Sequence, residues 1–277
     1  MNKKDLIPKV ILNNQVEIPA FGLGVFQSKE GQEVENAVKF ALEEGYRLID
    51  TAAIYKNEAG VGRAIKQSEL DRKEVFVTSK VWNTDQGYDA TLKAFDKSIK
   101  LLQMDYLDMY LIHWPVKGKY TETWKALEEL YRQGKVRAIG VSNFNQHHLE
   151  DIYQMGKIIP AVNQIELHPE LTQVELVDFC LKHKTLVQGW SPIMRGKIFS
   201  IPLLEELSKK YKKDIAQIVL RWHLQKSYLP IPKSAKKERI RCNAQIFDFE
   251  ISEDDILRID LLNKNNRTGP DPENFGF

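Results

Sequence analysis

The chain has 277 residues, of which 43% are hydrophobic and 28% charged, a composition typical of a folded, water-soluble protein. Its 40 basic and 38 acidic side chains leave a net charge of +2, which argues against a nucleic-acid or membrane-surface partner. Two cysteines, Cys180 and Cys242, with no CxxC spacing, exclude a disulfide framework and a zinc ribbon and fit a reducing, cytoplasmic setting.

The first residues, MNKKDLIPKVIL, lack the apolar run and small-residue cleavage site of a signal peptide. No window is apolar for long enough to span a membrane. Residues 9–12 and 16–18 flank Asn13-Asn14-Gln15 and predict a small hairpin. Short apolar runs then alternate with helical patterns. Strands are predicted at 20–24, 48–51, 75–79, 109–112, 138–142, 161–165, 186–189 and 228–230. Helices are predicted at 34–44, 89–102, 121–133, 173–183 and 201–211. In the first helix, Val34, Ala37, Val38, Ala41 and Leu42 recur with the spacing of one buried stripe. Eight strand–helix units without a linker point to one domain over residues 1–277, an α/β fold of the (β/α)8 barrel type, which takes about 250 residues.

Polar residues stand where these strands end: Asp50, Lys80, His113, Ser142-Asn143, Gln164 and Glu166. In a barrel all such ends meet on one face, which carries the chemistry. Gly22-Leu23-Gly24 imitates a dinucleotide loop but lacks the third glycine and the helix that should follow, so it reads as a strand-to-loop turn. The six histidines form no HExxH or comparable ligand pair, and His147-His148 should point in different directions, so no metal is expected. Ser191 lacks the GxSxG elbow of a hydrolase.

The remaining set is Asp50, Tyr55, Lys80 and His113. A phenol is a poor proton donor at neutral pH unless its pKa, near 10, is lowered. A lysine ammonium does this by favouring the phenolate, with a Coulomb energy of about 4 kcal/mol at about 4 Å and an effective dielectric of about 20. Asp50 would hold that lysine, and a neutral His113 imidazole could bond the same substrate oxygen. Such a set suits proton donation to a carbonyl oxygen as a hydride arrives.

These residues stand within GYRLIDTA at 45–52, SKVW at 79–82, LIHWP at 111–115, IGVSNF at 139–144 and IPKS at 231–234. In this order they closely resemble the signatures of the aldo-keto reductase family, over essentially the whole chain. The resemblance implies NADPH-dependent reduction of aldehydes, glyoxals and keto-sugars, on a barrel whose floor is closed by the N-terminal hairpin. It makes Tyr55 the general acid, Lys80 and Asp50 its tuning pair, and His113 the substrate-orienting residue. Ser142, Asn143 and Gln164 match positions that bond the nicotinamide carboxamide, and Trp190 the aromatic on which the ring stacks. Lys233, Ser234 and Arg239 resemble the clamp on the 2′-phosphate of NADP, and Asn243 an adenine contact. Phe26, Trp82 and Trp114 would form the apolar pocket rim.

Two departures from the pattern stand out. Lys184 occupies a helix end where glycine would relieve a left-handed cap. After His113 the chain is expected to run straight into a helix over 116–123, and the tail is short, which together imply an open pocket as in the compact bacterial members. A monomer is expected, with a small carbonyl compound as its partner. A regulatory subunit that keeps the cofactor site, or a phosphosugar isomerase on the same barrel, would be the other readings. The first would need a broken Tyr55–Lys80 set and the second a glycine-rich phosphate loop, and neither is seen.

Overall fold

The computed structural model describes residues 7–275. Strands β1 (Lys9–Ile11) and β2 (Glu17–Pro19) form the expected antiparallel hairpin. Eight parallel strands follow: β3 (Leu23–Gly24), β4 (Leu48–Asp50), β5 (Phe76–Val81), β6 (Leu107–Ile112), β7 (Val136–Ser142), β8 (Val162–Glu166), β9 (Leu186–Trp190) and β10 (Leu229–Pro230). They lie side by side in chain order. The two edges meet where Gly22 donates to Pro230 O at 3.3 Å, Gly24 donates to Pro232 O at 3.1 Å, and Gly24 bridges Lys233. The sheet thus closes into a (β/α)8 barrel. A Cβ at Gly24 would stand 3.0 Å from Ile231 O, and one at Gly22 would stand 2.5 Å from Leu48 Cγ. The two glycines that imitate a dinucleotide loop therefore serve the seam of the barrel.

Helices pack around it: α1 (Gln32–Glu43), α2 (Glu58–Lys66), α3 (Tyr88–Leu102), α4 (Tyr120–Arg132), α5 (Gln146–Met155), α6 (Val174–Lys182), α7 (Pro202–Tyr211), α8 (Ile215–Gln225), α9 (Lys237–Ala244) and α10 (Glu253–Asp260). All five apolar residues of the predicted stripe on α1 are buried. Helix α2 escapes the sequence pattern because Gly60 and Gly62 interrupt it. Gly62 is needed for contact, since a Cβ there would overlap the Leu102 carbonyl at the end of α3. Helix α8 escapes it because most of its residues are buried, so no polar face marks the period.

The predicted helix over 116–123 starts later, at Tyr120. Gly118, at φ 74°, turns the chain first, and Lys119 and Tyr120 both donate to Val116 O. The loop is short, as expected, but it is a turn. Lys184 adopts φ 59°, the left-handed cap anticipated for it, which costs a non-glycine residue ~1 kcal/mol or more.

The hairpin plugs one end of the barrel. Leu12 and Ile18 pack with Leu48, Phe76, Met109 and Leu111 inside it. Asn13 Nδ2 donates to Ile159 O and Pro160 O, and Asn14 Nδ2 to Arg137 O at 2.9 Å, beside the starts of β7 and β8. The floor is therefore sealed and the strand C-termini face the open end. No described helix is long and apolar enough to cross a membrane.

Candidate active site

Parallel strands deliver their last residues to one rim. Asp50 ends β4, Lys80 is the penultimate residue of β5, and His113 follows β6. Tyr55 closes a 3-10 turn over Ala53–Tyr55 just after β4. The structure brings all four together. Lys80 is fully buried and its Nζ donates to Asp50 Oδ1 at 2.6 Å and to Thr51 O at 2.9 Å. The same Nζ lies 5.2 Å from the centre of the Tyr55 ring. That ring meets His113 nearly edge-on, at 5.6 Å and 75°.

One expectation is reversed. Tyr55 is not tuned downward in this structure: burial and the Asp50 carboxylate hold its phenol well above the ordinary tyrosine value. Asp50 lies against the ammonium and offsets its field, so burial decides the outcome. Burial also works against the Lys80 charge more than Asp50 supports it, leaving the amine below the ordinary lysine value. Burial and the nearby Lys80 push the His113 imidazole well below its usual value, so it is neutral, as expected.

Of the three rim aromatics, Phe26 is 46% exposed and lies 5.1 Å from the Tyr55 ring. Trp82 is half-buried and meets His113 at 5.2 Å. Trp114 differs: it is buried, with Phe275 of the tail stacked on it at 4.3 Å. Two of the three thus flank the Tyr55–His113 pair, and the third lies beneath the chain's end.

The next three strands bring Ser142, Asn143, Gln164 and Trp190 to the same rim. Asn143 has φ 62° and ties the rim together, its Nδ2 donating to His113 O at 3.0 Å and Ser142 Oγ at 3.1 Å. Its Oδ1 accepts from Trp190 Nε1 at 2.8 Å, and Ser142 Oγ donates to Gln164 O at 2.8 Å. Gln164 Nε2 donates to Asp50 Oδ2 at 2.8 Å and to Gln188 Oε1 at 2.7 Å.

Trp190 is fixed from behind by a contact between residues distant in sequence. Glu166, 1% exposed, accepts from Thr268 N at 2.7 Å, from the Thr268 hydroxyl, and from Gly269 N at 3.1 Å. Burial opposes its charge, but the bonds from His168 and Thr268 hold its carboxyl below the usual range. Gly269 is thereby laid on Trp190 so closely that a Cβ would overlap Trp190 Cη2.

Lys233 and Ser234 lie on the connection from β10 into α9, and Arg239 and Asn243 lie on α9 itself. Lys233 and Arg239 are exposed, and neither forms an ion pair among the described residues. Ser234, 7% exposed, accepts the Lys236 N–H at 3.1 Å ahead of α9. Asn243 is buried in the last turn of α9.

His147 and His148 do not diverge as expected. Asn145 caps α5, and its N–H donates to His148 Nδ1 at 3.2 Å, which leaves the two rings 3.8 Å apart. Together with Glu273 of the tail they offer ligand atoms within 4.8 Å of one another. Both cysteines are free.

Sequence reasoning singled out Glu166 only as a polar strand end, and it missed Gln188, Thr268, Gly269 and Phe275. Gln188 had a signal, an amide inside the apolar run Leu-Val-Gln-Gly-Trp. The tail residues had none, because their contacts reach back from about 80 to about 160 positions.

Comparison with known proteins matches residues 20–264 to the model of the aldo/keto reductase family. The glyoxal reductase of Bacillus subtilis (strain 168) is 55% identical over 268 residues, covering 97% of each chain. The methylglyoxal reductase DkgA of Escherichia coli (strain K12) is 43% identical over 263 residues, 94% of each. Among solved structures, a mutant of Gox0644 in complex with NADPH superimposes with a TM-score of 0.94 at 41% identity, covering 98% of this chain and 99% of that one.

Proposed function

The chain belongs to the aldo/keto reductase family and is an oxidoreductase; from that premise we propose that it reduces small aldehydes and dicarbonyls, with NADPH as the hydride donor and Tyr55 as the acid. The observation that carries the reading is the convergence of the Tyr55 phenol, the neutral His113 imidazole and the buried Lys80–Asp50 pair on the mouth of the barrel. The names of the relatives support the substrate class, and the NADPH complex of a neighbour supports the cofactor.

NADPH supplies a hydride to the carbonyl carbon. The carbonyl oxygen takes its proton from Tyr55, whose raised pKa keeps the phenol loaded with that proton at neutral pH. As the phenolate forms, the Lys80 ammonium 5.2 Å from the ring stabilises it in a site of low dielectric, where a fixed charge costs no reorganisation. His113, neutral, donates a hydrogen bond to the same oxygen and sets its direction.

The site fits a nicotinamide nucleotide. Gln164 has both amide hydrogens engaged by Asp50 and Gln188, so its Oε1 is left to accept from the carboxamide NH2, while Ser142 and Asn143 stand beside it. Trp190, backed by Gly269, offers its other face to the ring. At the far end Lys233 and Arg239, with Ser234, would hold the 2′-phosphate by charge-assisted bonds, near the N-terminus of α9, which also favours an anion, and Asn243 would contact the adenine. The open rim of Phe26 and Trp82, with Trp114 behind Phe275, suits small substrates.

The test is oxidation of NADPH and of NADH, followed at the nicotinamide absorbance, across a panel of aldehydes and dicarbonyls. Turnover of glyoxals with NADPH is expected; no turnover of any carbonyl with either nucleotide would overturn the reading.

A further inference from the structure

Gln188 stands in the middle of β9, directly opposite Gln164 of β8 in the parallel register. Successive strand residues alternate faces, so Gln188 shares the barrel interior with its neighbours Leu186 and Trp190, both packed on the inner apolar cluster. It is fully buried. Its Oε1 accepts from Gln164 Nε2 at 2.7 Å, and its own Nε2 meets no partner among the described residues.

A buried amide with its NH2 unpaired works against folding; an apolar side chain of the same length would remove that cost but leave the second N–H of Gln164 without its acceptor, so the two costs roughly offset. Stability therefore does not explain the residue. The one bond it makes lies on a polar chain that crosses the barrel, from Lys80 to Asp50, from Asp50 to Gln164, and from Gln164 to Gln188. Asp50, paired with Lys80 through Oδ1, accepts from Gln164 Nε2 at Oδ2 and so turns the NH2 of Gln164 toward itself. Without Gln188 the amide plane could pivot about its single hydrogen bond to Asp50. With two acceptors the amide plane is fixed, and its oxygen faces away from both.

We propose that Gln188 is a positioning residue for the cofactor: it holds the Gln164 amide so that Oε1 receives the nicotinamide carboxamide. This rests on the reading of Gln164 as a nicotinamide contact. It also links the cradle of the ring to the Asp50–Lys80 pair through a single shared amide.

The experiment measures the affinities of Gln188→Met, Gln188→Glu and Gln164→Leu for NADPH and for 2′,5′-ADP, which carries the phosphate end but no nicotinamide, together with thermal midpoints. Gln188→Met is expected to weaken NADPH binding roughly three- to tenfold, to leave 2′,5′-ADP unchanged, and to move the melting temperature little. Gln188→Glu, which retains an acceptor oxygen of the same reach, is expected to restore NADPH affinity. A lowered midpoint with both ligands weakened alike would mean that Gln188 supports the fold only and would overturn the proposal. So would full NADPH affinity in Gln188→Met while Gln164→Leu loses it. If Gln164→Leu itself binds NADPH normally, the assignment of Gln164 fails first and takes this inference with it.

Discussion

Two groups of polar side chains sit at the mouth of this barrel, and they differ in how much of their interaction is already made. Asp50, Lys80, Gln164 and Gln188 are buried and bonded to one another at 2.6–2.8 Å. Lys233, on the connection between β10 and α9, and Arg239, in the first turn of α9, are exposed cations with no ion pair among the described residues. The inner group pays its desolvation during folding and then acts without reorganising. The outer group folds at little cost and, as proposed, would act only when an anion arrives, in water, where charges are screened. If that contrast holds, breaking the Asp50–Lys80 pair of the inner group should appear in rate and stability, and damage to the outer group in affinity alone.

The largest effect is expected at the acid itself. Tyr55→Phe removes the hydroxyl of the phenol ring that meets His113 and Lys80, and general acid catalysis is worth ~10²–10⁴-fold. Carbonyl reduction should fall by that factor while NADPH titrates normally. Turnover near the unaltered rate would take Tyr55 out of the mechanism.

Lys80→Met should come next and move both rate and stability. It leaves the Asp50 carboxylate buried without its cation, which costs about 3–5 kcal/mol when a buried pair is broken from one side. Tyr55, already raised by burial and by Asp50, would then face that charge unopposed, and its pKa would rise further. Alcohol oxidation needs the phenolate, so its pH profile should shift to higher pH, while reduction, which needs the phenol, keeps its alkaline limit or gains. A thermal midpoint and a pH profile both unchanged would show that the inner pair is not coupled as drawn.

How much of this contrast could be read from the sequence follows from the range of the interactions. The apolar runs of β4, β5 and β8 place Asp50, Lys80 and Gln164 at or near strand ends, so most of the inner group was legible, whereas Gln188, inside β9, was missed. Its electrostatics were not, because the sign of the Tyr55 shift depends on burial and on where Asp50 lies relative to Lys80. Gly118 delays α4 to Tyr120, and the Asn145 cap sets the His147–His148 contact; both are local signals that sequence reading passed over. The strap of Thr268 and Gly269 over Trp190 depends on a carboxylate a hundred positions upstream, and Trp114 is buried by Phe275 for the same kind of reason. Lys233 and Arg239 look like an ordinary solvated patch in composition and in structure alike; only their place on the rim, and the family, single them out.

At the outer group, Arg239→Ala should weaken NADPH binding ~10–100-fold, the loss of one or two charge-assisted bonds at about 1.5–3 kcal/mol each. NADH lacks the 2′-phosphate and should bind the variant almost as before, and the melting temperature should not move. Equal losses for both nucleotides would assign Arg239 to the shared pyrophosphate or to the fold.

Salt offers the gentlest probe, because it alters no residue and should separate the two groups directly. The screening length falls from about 10 Å at 0.1 M to about 3 Å at 1 M ionic strength. If exposed Lys233 and Arg239 attract the 2′-phosphate through water as proposed, NADPH affinity should fall several-fold across that range, and NADH affinity much less. The Lys80–Asp50 pair, at 2.6 Å with both side chains buried, leaves no room for an ion between or around its charges. The pH dependence of turnover at saturating NADPH, which reports on Tyr55 and its neighbours, should therefore stay fixed while the nucleotide affinity slides. Were the pH profile to move with salt as far as the affinity does, the Tyr55 environment would have to be open to solvent ions, and the inner group would be no more sheltered than the outer one.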